Sequence, residues 1–232
     1  VLPLPEPQGE RSMLELQSPH ALSEATREVV DSILQTYINL VGLLDYGEKD
    51  ALTELLNRKT FDGAFFKAAA MQPVDASAPD GPERRVAAPS GGVWLAMLDI
   101  DHFKRVNDTY GHLIGDEVLL LLARLMRANF RFHDQLYRFG GEEFIVLLVN
   151  ASHSDAKHVA ERIRKSVADK AFSLSMTGLC DVTLSIGIAT LSDDHNLGEI
   201  ENAAQTLVLR ADRALYEAKE QGRNRVCESP EA

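Results

Sequence analysis

The sequence predicts an α+β fold, a central and mostly antiparallel sheet flanked by helices, preceded by an N-terminal stalk helix. Three observations lead there. Residues 138–144 read Arg-Phe-Gly-Gly-Glu-Glu-Phe between the apolar runs Leu136-Tyr137 and Phe144–Val149, which describes two strands joined by a tight turn. Apolar runs of strand length are interleaved with segments of helical period, in the order β-α-α-β-β-α-β-α-β. Residues 21–46 contain no proline and repeat apolar residues at alternating spacings of 4 and 3.

Taken in order, residues 1–19 are rich in Pro and polar residues and are expected to be a disordered tail. Residues 20–47 form the helical stalk, for dimerisation or partner binding. Its seam runs through Leu22, Thr26, Val29, Ile33, Thr36, Leu40 and Leu43, about three heptads of an imperfect a/d pattern. Such a seam suits a parallel dimer or packing on the helix's own domain. Val30, Tyr37, Val41 and Leu44 widen the apolar face, which could also hold a regulatory protein on helix 21–46.

Thr53 to Ala70 reads as helix. Pro73, Pro79, Pro82 and Pro89, with Gly81, Gly91 and Gly92, forbid a regular element, so 72–92 is read as a flexible, exposed insertion. Val93–Asp99 is a buried strand. Helices are expected around His102–Thr109 and Gly115–Phe130, the second with a core stripe that includes Val118, Leu122, Leu125 and Met126. After the hairpin come a helix at Asp155–Asp169, a strand at Val182–Ala189, a helix at Ile200–Lys219 and a short strand near Arg225–Cys227. Gly140 and Gly141 are expected at positive φ, with no side chain between backbone and a phosphate.

The net charge of −11 disfavours nucleic acid as a partner, so a nucleotide would need a locally basic or metal-lined pocket. No apolar run approaches about 18 residues, so no membrane span is expected. The opening Val-Leu-Pro-Leu-Pro-Glu-Pro lacks the features of a signal peptide and lacks Met, which reads as a fragment or a processed chain. Cys180 and Cys227 are the only cysteines, and a reduced, cytoplasmic protein is the expectation.

Glu142 and Glu143 put adjacent carboxylates at the rim of a rigid sheet, suited to a hard metal ion and a proton acceptor. Asp99 ends an apolar strand, where a carboxylate is costly unless a metal or hydrogen bonds offset it. Asp101 is read as turning to the other side of the strand, into a structural hydrogen bond.

Residues 138–144 resemble the signature of the GGDEF-domain diguanylate cyclases, whose third position accepts Asp or Glu. The resemblance extends, in order, over roughly residues 48–228. Asp50-Ala-Leu-Thr-Glu-Leu-Leu-Asn-Arg58 is similar to the family's entry motif, and Leu98-Asp-Ile-Asp-His-Phe-Lys-Arg-Val-Asn-Asp-Thr-Tyr-Gly-His112 to its metal and nucleotide segment. Gly115-Asp116-Glu117, Leu184-Ser-Ile-Gly-Ile188, Ala211–Lys219 and Gly222-Arg-Asn-Arg225 follow.

The resemblance implies the nucleotidyl-cyclase, ferredoxin-like GGDEF fold, and condensation of two GTP into cyclic di-GMP with release of two pyrophosphates. It implies a homodimer, because each subunit binds one GTP, and a part in bacterial signalling and biofilm formation. Catalysis falls to the turn of Gly140, Gly141, Glu142 and Glu143. Mg²⁺, with Mn²⁺ as the alternative, takes carboxylates from Asp99 and Glu142 and the carbonyl of Ile100. Glu143 is either a second ligand or the group that helps deprotonate the ribose 3′-hydroxyl. Asn107 and Asp116 read guanine, whose N1–H and N2–H₂ edge adenine lacks. Phe103 and Lys104 offer backbone amides and a charge to the phosphates, and Lys219 and Arg223 two further cations. Arg131, Asp134 and Arg162 match the product-inhibition site for cyclic di-GMP. The alternative is a catalytically silent GGDEF domain acting as a receptor for cyclic di-GMP or GTP, or as a partner-binding scaffold.

Overall fold

The computed structural model describes residues 2–3, 13–14, 21–70, 92–131, 133–169, 172–174, 178–190 and 200–230. It falls into two units, Val1–Ala51 and Leu52–Ala232. In the first unit, β1 (Leu2–Pro3) pairs antiparallel with β2 (Met13–Leu14), and the rest of the expected tail lies outside the described residues. Helix α1 (Glu24–Glu48) starts where Ser23 accepts a hydrogen bond from Thr26 N at 3.2 Å, an ordinary N-cap. Val29, Ile33, Leu40 and Leu43 on its seam are all more than half exposed. Among the described residues, no helix is long and apolar enough to cross a membrane.

The second unit begins with β3 (Leu56–Asn57) and α2 (Arg58–Ala70). The expected insertion, save Gly92, lies outside the described residues. Then follow β4 (Gly92–Ile100), α3 (Phe103–Tyr110), α4 (His112–Asn129), β5 (Gln135–Arg138), β6 (Glu143–Ala151) and α5 (His153–Ala168). The chain continues through β7 (Phe172–Leu174), β8 (Gly178–Cys180), β9 (Leu184–Thr190), α6 (Ile200–Glu220) and β10 (Val226–Glu228).

Six strands form one sheet in the order β10-β9-β4-β6-β5-β3. Its three inner pairings are antiparallel, and the two edge pairings, β9–β10 and β3–β5, are parallel. Helices α3, α4 and α5 cover one face through Val106, Val118, Met126, Ala160 and Ile163. Helices α2 and α6 cover the other through Phe61, Phe65, Leu207, Ala211 and Leu215. A sheet buried on both faces explains why β4 and β6 read as continuous apolar runs.

Three details differ from the sequence reading. The expected helix from Thr53 begins only at Arg58: residues 53–55 are irregular, and Leu56–Asn57 form strand β3, added to the edge of the hairpin. β7 and β8 form a separate antiparallel pair that no sequence signal announced. Helix α4 starts at His112 because Gly111, at φ 85°, already breaks the chain between α3 and α4.

Candidate functional site

The period-2 pleat decides which residues meet at the site. On β4, Trp94, Ala96, Leu98 and Ile100 join the core under α3, α4 and α5, so Val93, Leu95 and Met97 face α6. Asp99 continues the second series. Strand register sets it opposite Glu143 on β6 and Ser185 on β9. The three side chains therefore stand abreast on the face that α6 covers. The helix can approach because Gly187 lies beneath it: a Cβ there would stand 2.1 Å from Ala211 O. Its last turn brings Lys219 Nζ to 2.9 Å from Asp99 Oδ1.

Burial raises the pKa of Asp99; the hydrogen bond from Lys219 lowers it, and Glu143 and Asp101 push it up again. Glu142 is half-buried, and its pKa is raised first by that burial and then by Asp99 and Glu143, against Lys219. The cluster thus holds more negative charge than Lys219 alone balances. Its donors are all oxygen, and the Ile100 carbonyl is next in the chain, which fits a hard divalent cation. Among the described residues, no three acidic, imidazole or thiol side chains already close on one point as ligands. The cation that touches Asp99 is Lys219.

The hairpin is tied by its backbone. Phe139 N and Gly140 N both donate to Glu143 O, at 2.8 and 3.2 Å, and Arg138 Nη2 donates to Gly141 O at 2.9 Å. Neither glycine adopts a positive φ, contrary to the expectation from sequence. The chain reverses over the residues between Arg138 and Glu143, and a connection of that length does not demand the left-handed residues of a two-residue turn. Gly140 instead leaves room for the Glu143 carboxylate, which a Cβ there would meet at 2.5 Å and push aside. Gly141 opens on free space.

Asn107 and Asp116 come from α3 and α4, which pack against each other. The Asn107 amide lies directly over Gly115, where a Cβ would stand 1.9 Å from Asn107 Oδ1. It makes no hydrogen bond to another described residue, and the adjacent Asp116 is exposed. Phe103 is a core residue whose side chain packs inward, which leaves only its backbone available to a ligand, beside the exposed Lys104. Arg223 follows α6 at φ 63°, partly exposed.

Asp101 does not turn away from Asp99. Two positions on, it keeps the same side, and Ser185 Oγ donates to its Oδ1 at 2.6 Å. The hydrogen bonding is structural, as expected. Nothing in the sequence singled out Ser185, or Gly115 as the floor under Asn107. Close packing of side chain on glycine leaves no periodic signal.

Arg131 and Asp134 close a turn ahead of β5, with Arg131 N donating to Asp134 Oδ2 at 2.7 Å and Asp134 N to Arg131 O at 3.0 Å. Burial raises the Asp134 pKa, while Arg131, His133 and Arg162 pull it down. Arg162, on α5, donates to Asn129 O at the end of α4. Arg131 and Asp134 line a shallow pocket with Leu148, Val149, Asp155 and Val159.

The family model "Diguanylate cyclase, GGDEF domain" matches residues 83–225. Diguanylate cyclase A of Treponema denticola is 48% identical over 132 residues, which cover 57% of this chain and 34% of that protein. The chain spans less than half the length of the curated relatives it matches. Among solved structures, the coiled coil and GGDEF domain of DgcB from Caulobacter crescentus, in complex with c-di-GMP, aligns at TM-score 0.71 and 29% identity, covering 87% of this chain and 96% of that one. Diguanylate cyclase SiaD from Pseudomonas aeruginosa, in complex with its activator SiaC, aligns at TM-score 0.65 and 33% identity, covering 88% and 71%.

Proposed function

The chain belongs to the GGDEF diguanylate cyclase family, and we propose that it condenses two GTP into cyclic di-GMP. The observation that carries this reading is the Asp99–Glu143 register pair beside Glu142, at the end of the strands and under the last turn of α6. The residues that a silent copy of the domain would be expected to lose are all present.

Asp99, Glu142, Glu143 and the Ile100 carbonyl are the groups that would hold Mg²⁺, or Mn²⁺ in its place. When bound, the ion neutralises charge on the phosphate under attack and lowers the pKa of the ribose 3′-hydroxyl. Asn107 and Asp116 select guanine by its donor edge; against adenine they would be left unpaired. Phe103 N, Lys104, Lys219 and Arg223 hold the β- and γ-phosphates. Each 3′-oxygen attacks the α-phosphate of the other GTP, the 3′ proton leaves to Glu143 or solvent, and pyrophosphate departs twice. One subunit holds one GTP, so two subunits face each other, and the α1 seam is the element assigned to their dimer. SiaD is found in complex with its activator SiaC; on this chain α1 is where a partner protein would bind. Cyclic di-GMP returning to Arg131, Asp134 and Arg162 inhibits. We place the activity in the cytoplasm, where GTP is.

The test is incubation with GTP and Mg²⁺, followed by chromatographic separation of products, with a Glu142→Ala, Glu143→Ala protein as control. Cyclic di-GMP from the wild type alone is the expected result. No product from a protein that still binds GTP would leave two readings, a receptor or an enzyme missing its activating partner.

A further inference from the structure

Asp101 is buried, takes no part in the chemistry above, and gathers three donors. Ser185 Oγ donates to Oδ1 at 2.6 Å, while Thr183 Oγ1 and the Asn224 backbone N–H donate to Oδ2 at 2.7 and 3.0 Å. Donors on both oxygens offset the cost of burying the carboxylate and fix its orientation. Two of them belong to β9 and its approach. The third comes from the turn that follows α6.

That turn is a Schellman exit, with Gly222 N donating to Lys219 O at 3.3 Å and Arg223 N to Ala218 O at 3.0 Å. Gly222, Arg223 and Asn224 then follow one another at φ 111°, 63° and 46°. Glycine tolerates such an angle. Arginine holds it only where its surroundings enforce it, whereas asparagine takes it more readily. Asn224 is held from two sides. Asp101 takes its N–H, and Arg164 on α5 donates to Asn224 Oδ1 at 2.6 Å and Asn224 O at 3.2 Å. Lys219 and Arg223, the two cations assigned to the triphosphate, sit just before and within the clamped turn.

We propose that Asp101 is a positioning residue for the triphosphate: by holding Asn224 it fixes the turn that presents Lys219 and Arg223 to the β- and γ-phosphates. This rests on the reading of the site as a GTP site. A carboxylate that only stabilised the sheet would need Ser185 and Thr183; the bond to Asn224 reaches past the sheet to the phosphate-facing turn.

The test compares binding of 3′-deoxy-GTP and 3′-deoxy-GMP, neither of which can cyclise, to the full chain by calorimetry. The wild type is expected to prefer the triphosphate. Asp101→Ala should weaken the triphosphate about tenfold and leave the monophosphate nearly unchanged, because the lost contacts lie at the β- and γ-phosphates. Asp101→Asn, which keeps an acceptor for Asn224 N–H, should restore most of the difference. Equal weakening of both nucleotides, or of neither, overturns the proposal. Should Asp101→Ala not fold, Arg164→Met decides, since it frees Asn224 from its other side. It must reproduce the triphosphate-selective loss; a lower melting temperature with an unchanged binding ratio overturns the proposal. A wild type that binds neither nucleotide overturns the GTP-site reading, and this role with it.

Discussion

Lys219 Nζ stands 2.9 Å from Asp99 Oδ1, so a residue assigned to the triphosphate is also the counter-cation of a carboxylate assigned to the metal. The two contacts share one ammonium group. The ion pair favours the charged form of Asp99 against the burial that raises its pKa, and a divalent cation at Asp99 would free Lys219 to turn to the phosphates.

Lys219→Met is therefore expected to act in two directions. It leaves Asp99 buried without its partner, which should cost about 1–2 kcal/mol, less than for a fully buried pair because Lys219 is partly exposed. In chelator that corresponds to a melting temperature lower by about 2–8 °C. With millimolar Mn²⁺ the difference should shrink, because the metal replaces the missing charge. Mn²⁺ titration followed by EPR, without nucleotide, should show tighter binding in the variant. Weaker binding would mean that Lys219 does not compete with the metal.

The two hairpin glycines should fail differently. A Cβ on Gly140 meets Glu143 Oε2 at 2.5 Å, whereas one on Gly141 meets nothing within 4 Å. Gly140→Ala should displace the Glu143 carboxylate and weaken Mn²⁺ binding even without nucleotide. Gly141→Ala should leave Mn²⁺ binding intact and weaken GTP, if the open space above it is where a phosphate lies. The same EPR titration, paired with GTP calorimetry, separates the two. Identical behaviour of both variants would count against the distinct roles.

How much of this was legible beforehand follows from what each feature depends on. The hairpin and the Asp99 strand end were legible, because apolar runs broken by glycine or by a carboxylate are local patterns. Pairing of Asp99 with Glu143 needed strand register, which local sequence does not encode. The turn at Gly140–Gly141 is legible, but the reason for its glycines is not. Adjacent glycines look the same whether φ or space requires them, and only the position of Glu143 decides it. Strand β3 is not legible in the sequence because Leu56–Asn57 is too short for any period, and its pairing with β5 is a tertiary event.

Gly115 supplies a third prediction. Its missing Cβ leaves room for the Asn107 amide, which a methyl group would contact at 1.9 Å. Gly115→Ala should expel that amide and reduce the preference for GTP over ATP by about 5- to 100-fold, the range for one buried group losing its partner. Competition of both nucleotides for the protein measures the ratio. An unchanged ratio would remove Asn107 from guanine recognition.

Asp134 sets a pH dependence. Burial favours its neutral form in the fold, so the native state keeps this proton to a higher pH than the unfolded chain does. As pH rises from the ordinary aspartate value of about 4 through the raised value, the folded state binds more protons than the unfolded. Stability contributed by this group is lost across that window. Asp134→Asn, which keeps an acceptor for Arg131 N, should melt about 1–3 °C above the wild type at neutral pH and converge with it in more acidic buffer. A gap that widens on acidification would reverse the sign. The variant should also weaken inhibition by cyclic di-GMP, if this turn is the inhibitory site.

The last prediction concerns α1. Val29, Ile33, Leu40 and Leu43 are 57%, 64%, 54% and 70% exposed on one seam. Most of the stability of an amphipathic helix comes from packing its apolar face. If the partner is a second copy of the chain, Leu40→Glu with Leu43→Glu places like charges across the seam and should shift the protein to monomer in sedimentation equilibrium. Cyclic di-GMP formation should then fall at dilute protein and recover as concentration rises, because the second active site has lost its tether and not its chemistry. A loss that persists at high concentration would assign the seam to ordering the domain itself. Activity that never falls would leave the helix to a different protein altogether.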